Sequence, residues 1–263
     1  MSAMDDFPLH RHYLHYSELP YSQRVLYTAT LLVIGFAYIL ALLQIYFTYA
    51  GRAGGNPKMI SYNDIVVGYS GNKTGSRLET ALRGPMAGMV SSDQRQVIFT
   101  WLSEDSPRAT YDKEIKPIID GKCVACHNGS NPHLPDLSNY DKVKLMTAVD
   151  TGPTIATLVR VSHIHLFGLT FIFFLMGFMF SHAYVRPVWL KCAIVAVPFG
   201  AILIDVSSWY IIRYFHPFAL VEILAGMLMA ACFAFMWLVT MYQMWFKPTP
   251  SAVALRDPER AVG

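Results

Sequence analysis

Charge is scarce in this chain. Asp, Glu, Lys and Arg make up 15% of the 263 residues, against about 25% in ordinary soluble domains. That shortage argues against a soluble globular protein. The net charge is only +3 and its carriers are scattered, so no basic stripe marks a nucleic-acid partner. Cysteine is sparse too, and four residues cannot staple a small disulfide scaffold. No segment alternates apolar and polar residues like a long sheet, and there is no internal repeat or low-complexity tract. Apolar residues reach 54% and mean hydropathy +0.34, values incompatible with intrinsic disorder.

What is abundant is long apolar sequence. Four runs, at 25–49, 161–182, 188–212 and 217–246, each suffice for a bilayer span of about 20 helical residues. The third carries Pro198, which removes one backbone hydrogen bond and predicts a kink. The fourth is long, so tilt or an extension past the lipid is expected. Residues 1–24 are polar and aromatic, with His10, His12 and His15. The first run is too long for the core of a cleavable leader, and it predicts an uncleaved signal-anchor helix.

Residues 50–157 form the one large polar stretch, enough for a small domain. Short helices are expected over 76–82 and 92–102, with Ser91 or Ser92 capping the second and Gln94 in its first turn. A further helix is expected over 111–127, ending near Asn128-Gly129. Residues 247–263 carry three prolines and read as a flexible tail.

Within the polar stretch, Cys123-Val124-Ala125-Cys126-His127 has the C-x-x-C-H spacing of covalent c-type haem attachment. Two thiols three apart on a helical turn both reach the haem vinyl groups. The next residue then presents its imidazole to the iron as proximal ligand. A thioredoxin-like motif would need a βαβ unit, and none is visible. A zinc site would need a second Cys or His pair, which His133 alone does not supply.

The flanking residues extend the pattern. Ile115-Lys116-Pro117-Ile118-Ile119 precedes the motif; Pro135-Asp136-Leu137-Ser138-Asn139-Tyr140 and Asp150-Thr151-Gly152-Pro153 follow it. This stretch of about 50 residues resembles the c-type cytochrome domains of bacterial respiratory proteins, and the whole chain resembles membrane-anchored monohaem cytochromes. The resemblance implies electron transfer, one covalent haem c and His127 as proximal ligand.

Haem c is attached on the outer, oxidising face of the membrane. The expected architecture is therefore an all-α membrane protein of four transmembrane helices, with a small periplasmic cytochrome-c-like helical domain inserted between helices 1 and 2. Residues 1–24 and 247–263 are then cytoplasmic, 50–157 periplasmic and 158–246 a three-helix membrane region of the bacterial inner membrane. Flanking charge agrees in direction. Arg11, Arg24, Arg186, Lys191, Lys247, Arg256 and Arg260 lie inside, against Arg52, Lys58, Arg160 and Arg213 outside.

The distal iron ligand stays open. Modules of this kind place a Met downstream, and the only one before the second membrane helix is Met146. Met86 and Met89 lie upstream in a Gly/Pro-rich loop, and His163 and His165 stand at the membrane entry. His133 or an open position completes the set. Bis-His ligation would give a low-potential centre, Met/His a higher one, and an open iron a gas-binding one.

Ionisable residues inside spans are functional candidates by default. Asp205 is seven residues from the end of the third run, and Glu222 is six beyond His216. At 1.5 Å per residue both lie about 10 Å deep. His163 and His165 sit about 200° apart on a helix. Three roles compete for this group. It is a quinol-oxidation pocket in which Asp205 and Glu222 accept protons; or His165 and His216 bind a haem b or a metal ion in the bundle; or the carboxylates pair with His or Arg213 and fix helix packing. Cys192 and Cys232 read as packing residues, and His182 as an interfacial one.

Taken together, the residues predict a membrane cytochrome carrying electrons between membrane quinol and a periplasmic acceptor such as a soluble cytochrome. It would be one subunit of a larger respiratory or oxidoreductase complex rather than an independent catalyst, because one haem handles a two-electron donor poorly. The competing class is a non-catalytic haem-containing accessory, anchoring or gas-sensing subunit.

Overall fold

The computed structural model describes residues 14–55, 58–132 and 134–247. His10, Arg11, His12, His133, Arg256, Arg260 and the proline-bearing tail past Lys247 lie outside the described residues. Among the described residues the chain is all-helical, with one isolated bridge between Ser76 and Val149 and no strand.

Among the described residues four helices are long and apolar enough to cross a membrane: α1 (Tyr21–Tyr49), α7 (Ile155–Phe180), α8 (Val188–Ile212) and α9 (Phe218–Trp245). Shorter helices lie between α1 and α7, among them α2 (Tyr62–Ser70), α3 (Arg77–Arg83), α4 (Ser92–Ser103), α5 (Lys116–Lys122) and α6 (Tyr140–Leu145). Helix α1 starts four residues before its apolar run because the Pro20 carbonyl accepts from the Gln23 and Arg24 amides at 3.0 and 3.1 Å. Helix α7 likewise starts at Ile155, since helical backbone continues past the last lipid-compatible residue. Pro198 lies inside α8. Ser91 caps α4 in a reciprocal box with Gln94, as the spacing predicts.

The helix expected over 111–127 is broken into parts. Arg108–Thr110 leads into a π-helical turn, Tyr111–Ile115, before α5 begins. Pro117 is the physical reason. It has no amide to donate back to residue 113, so the preceding turn widens.

The chain divides into two compact units. One comprises residues up to Ala41, Ala156–Trp209 and Leu220 onward. Its core is built from Leu31, Phe173, Met176, Phe180, Ile202, Phe233 and Met236. Tyr38 stacks on Phe233 at 4.0 Å between ring centroids. Gly35 lets Trp237 come close, for a Cβ there would stand 2.9 Å from the indole nitrogen, which donates to the Leu31 carbonyl at 2.8 Å. Phe167, Phe171, Phe174, Leu203, Leu224 and Leu238 are exposed around it, the surface that lipid covers in a membrane-spanning bundle.

The polar groups of this unit gather at the end where α1 begins and α7 finishes. Buried Tyr16 donates to the Met179 carbonyl at 2.7 Å and meets Thr240 Oγ1 at 3.1 Å. His182 Nδ1 donates to the Leu14 carbonyl at 2.8 Å. Gln243 brackets Tyr184, accepting from its amide at 2.8 Å and donating to its carbonyl at 3.1 Å. Lys191 reaches the Ser181 and Ala183 carbonyls just past α7, at 2.6 and 2.8 Å. A cation there satisfies carbonyls that helix geometry leaves open.

The second unit comprises Leu42–Ile155 and Tyr210–Ala219. Its core holds Leu82, Ile98, Trp101, Tyr111, Ile115, Ile119 and Val143. Asp64 is fully buried and organises the first loop. It accepts from the Ala53 amide at 2.7 Å and from the Ser61 amide and hydroxyl at 2.8 Å each. Asp105 and Ser106 both adopt left-handed backbone (φ 61° and 56°) after α4. Tyr140 holds the Ser106 carbonyl at 3.0 Å and Lys144 the Asp105 carbonyl at 2.6 Å.

Candidate functional site

The Cys-x-x-Cys-His segment continues the last turn of α5. The amides of Cys123 and Val124 donate to the Ile119 carbonyl at 2.8 and 3.1 Å, and those of Cys126 and His127 donate to the Cys123 carbonyl at 3.1 and 2.9 Å. The two thiols are free. Cys123 is half-buried against the core of its unit, with Val124 beside it, while Cys126 is exposed. Burial pushes the Cys123 thiol up from its ordinary range.

The segment after the motif folds back over His127. Its Nδ1 lies 2.8 Å from the Pro135 carbonyl, and its own carbonyl accepts from the Leu137 amide at 2.8 Å. A carbonyl only accepts, so Nδ1 carries a proton, and Nε2 is the ring nitrogen turned away from this bond. The return strap is pinned in turn. Asp136 pairs with Lys142 and accepts from the Ser138 amide at 2.9 Å. The Lys142 ammonium, with that amide, holds the Asp136 carboxyl down at about 2. Gly129 is left-handed (φ +84°), and a Cβ there would stand 2.5 Å from an Asp136 oxygen, so the turn closes only on glycine. Asn139 then caps α6 through the Lys142 amide at 3.1 Å.

Of the residues expected near the motif, the structure packs Met86 and Met146 against the same apolar cluster as Cys123. The Met86 amide donates a hydrogen bond to the Ala81 carbonyl at 2.8 Å, which holds it in its loop. Met89, in the same loop, is 59% exposed. His163 and His165 are exposed on α7, and His216 is exposed in the link between α8 and α9.

The ionisable residues of the spans are placed as follows. Asp205 is buried on α8 with Ser208 and Trp209, the three sharing a face. His165 sets its ring edge-on to Trp209 at 5.0 Å, and its Nδ1 lies 3.0 Å from the Val161 carbonyl. Among the described residues Asp205 makes no ion pair. Glu222 is half-buried on α9. Arg213 donates to the carbonyls of Pro153 and Tyr69, the latter at 3.5 Å. No cluster of three or more His, Cys, Asp or Glu suited to a metal ion occurs among the described residues.

Sequence reasoning missed Pro135 as the partner of His127, although a carbonyl eight residues on is a plausible reach once a glycine turn intervenes. It missed α2, whose signal was Ser61 three residues before Asp64, and α6, announced by Asn139. It also read His182 as merely interfacial.

A family model described as a transmembrane helical domain matches residues 151–251. The matched stretch holds α7, α8 and α9 and stops short of Cys123–His127. Comparison with curated proteins and with solved structures finds no match. The chain is thus a multi-pass helical membrane protein whose last three helices are similar to a transmembrane helical domain family.

Proposed function

We propose that this protein is a membrane-bound cytochrome that carries one covalent haem c and relays electrons at the outer face of the bacterial inner membrane. The observation that carries this reading is the bond from His127 Nδ1 to the Pro135 carbonyl at 2.8 Å. It fixes one tautomer and aims the remaining lone pair, Nε2, away from the strap. That is the second-shell arrangement an imidazole needs to bind iron. Two free thiols stand on the preceding turn at the C-x-x-C sequence separation used for haem c attachment. The donor set therefore fits haem c, with Cys123 and Cys126 as thioether positions and His127 as proximal ligand.

Bound there, haem c supplies a one-electron couple. The chain's own residues set its environment. The apolar cluster of Leu82, Ile98, Ile119 and Val143 keeps one side dry, and the Asp136–Lys142 pair holds the strap that orients His127. Met86 and Met146 are the distal candidates this packing favours, because they share the cluster with Cys123. Covalent attachment takes place outside the cytoplasm, so residues 50–157 are assigned to the periplasm and both termini to the cytoplasm. Electrons pass between quinol and a periplasmic acceptor, within a larger respiratory assembly that supplies the second redox centre. Asp205, on the α8 face it shares with Trp209, is a proton acceptor assigned to quinol oxidation, and Glu222 is the second.

The test is expression with a haem c maturation system, followed by intact mass and pyridine haemochrome spectroscopy. One covalent haem per chain is expected, and none in Cys123→Ser/Cys126→Ser. A mass equal to the polypeptide alone would overturn the reading. Quinol-dependent haem reduction that survives Asp205→Asn and Glu222→Gln would remove the carboxylate role and leave the haem assignment standing.

A further inference from the structure

The unit that holds Cys123 and Cys126 also contains a cavity of about 540 Å³ at the end of α1. Tyr46 and Phe47 of α1, Arg83 of α3, Arg95 and Phe99 of α4 and Gly88 line it. None of its lining residues belongs to the Cys123–His127 motif, so the cavity is separate from the site described above.

Its chemistry is cationic and aromatic. Arg83 lies over the Phe99 ring at 4.7 Å and is held by Glu79 at 2.8 Å. Arg95 makes only a long bond, 3.4 Å, to the Ala87 carbonyl. Arg52 packs against Gly84, another wall residue, with its Cγ 3.5 Å from the position of a glycine Cβ. Its Nε is buried without a hydrogen-bond acceptor among the described residues. Two guanidinium groups, Arg83 and Arg95, therefore line the space, with Arg52 packed behind its Gly84 wall; of the nearby carboxylates, Glu79 is taken up by Arg83 and Asp64 by the Ala53 amide and Ser61. Guanidinium groups favour phosphate oxygens.

The cavity also adjoins exposed apolar surface. Leu42, Leu43, Ile45 and Phe47, on the same stretch of α1, are all exposed. Their apolar surface leads along the membrane-spanning helix to the cavity mouth. Tyr46 and Phe47 occupy the aromatic-belt position of a span end.

We propose that this cavity binds the phosphate-bearing headgroup of an anionic phospholipid, whose acyl chains lie along the exposed face of α1. Arg95 supplies the principal free donor, and Phe99 with Arg83 forms the wall. The glycines of the 84–88 loop keep the entrance open.

The test uses the purified full chain in detergent, with retained lipid counted by native mass spectrometry. The probes are phosphatidylglycerol, phosphatidylcholine and inorganic phosphate. Phosphatidylglycerol is expected to bind about tenfold more tightly than phosphatidylcholine, the scale of one charge-assisted hydrogen bond. Inorganic phosphate alone should give no retained adduct. Arg95→Gln should weaken phosphatidylglycerol binding by about tenfold. Gly88→Leu should block it without harming the fold, because a Cβ at Gly88 meets nothing within 4 Å. Equal phosphatidylglycerol binding by the wild-type chain and both variants would overturn the proposal. So would equal affinity for the two lipids, retention of phosphate by itself, or displacement of the lipid by a quinone.

Discussion

The Nδ1 atom of His127 sits 2.8 Å from the carbonyl oxygen of Pro135, eight residues along the chain. A second bond, from the Leu137 amide to the His127 carbonyl at 2.8 Å, clasps the same two segments together. The imidazole is thus oriented by backbone alone, and no side chain has to be spent on it. Proline at position 135 also has a fixed φ, which narrows the positions its carbonyl can take.

Met86 and Met146 pack on one cluster, so their contributions to a haem-loaded protein are separable by substitution. If Met86 is the sixth ligand, Met86→Ala abolishes the methionine-to-iron charge-transfer band and lowers the midpoint potential, while Met146→Ala leaves both in place. The reverse pattern assigns Met146. A band that persists in the double variant removes methionine from the iron altogether. Redox titration with visible spectroscopy reads all three cases.

The Asp136–Lys142 clamp makes the His127 strap acid-sensitive. Asp136 titrates at about 2 in the fold, against 3.8 for an ordinary aspartate. Its stabilising contribution is therefore complete above about 3.8 and is lost as pH falls through about 2. Lys142→Met removes the first cause of that depression. Acid titration followed at the haem band is expected to show the strap releasing at higher pH in Lys142→Met than in the wild type. Identical acid transitions would show that Asp136 does not hold the strap.

The N-terminal turn docks through Tyr16 and His15, both buried. Tyr16→Phe leaves the Met179 carbonyl and Thr240 hydroxyl without their donor or partner, at a cost of about 1–3 kcal/mol. Thermal unfolding in detergent measures it. Burial lowers the His15 pKa below its usual 6.5. Its docked, neutral form is favoured above about 6.5, and that contribution fades as pH falls below it. Hydrogen exchange over residues 14–19, corrected for intrinsic rate, should rise with acidification and should lose that step in His15→Gln.

Asp105 holds a left-handed backbone at φ 61°, where a Cβ is unfavourable. Its ion pair with Lys144 is long, at 3.6 Å, and exposed, so losing it matters little. Asp105→Gly is expected to stabilise the fold by about 1 kcal/mol. A lower melting temperature would show that the carboxylate does more than the geometry indicates.

The membrane spans were legible in the sequence because lipid imposes one rule on every residue of a run, and 161–182, 188–212 and 217–246 obeyed it. Their ends were less legible. Helix α7 begins at Ile155, where Thr157 and Arg160 hide helical backbone from a hydropathy reading. The turn at Cys123–His127 was legible as a continuation of helix because two cysteines three apart share one turn. Its partner Pro135 was not, since a backbone carbonyl carries no residue signature. The π turn at Tyr111–Ile115 was hidden in an unbroken helical pattern, although Pro117 marked it. The docking of His15, Tyr16 and His182 joins positions more than 150 residues apart, a pairing that periodicity does not encode.

Gly71 and Gly152 touch inside the polar stretch between α1 and α7. A Cβ on Gly71 would stand 2.3 Å from the Gly152 nitrogen, and one on Gly152 would stand 2.4 Å from the Tyr69 carbonyl oxygen. Everything from Asn72 to Thr151, motif included, thus enters and exits through a single doorway. Backbone lies on backbone at that point, so a side chain at either glycine would pry the two passages apart and loosen every turn hung between them.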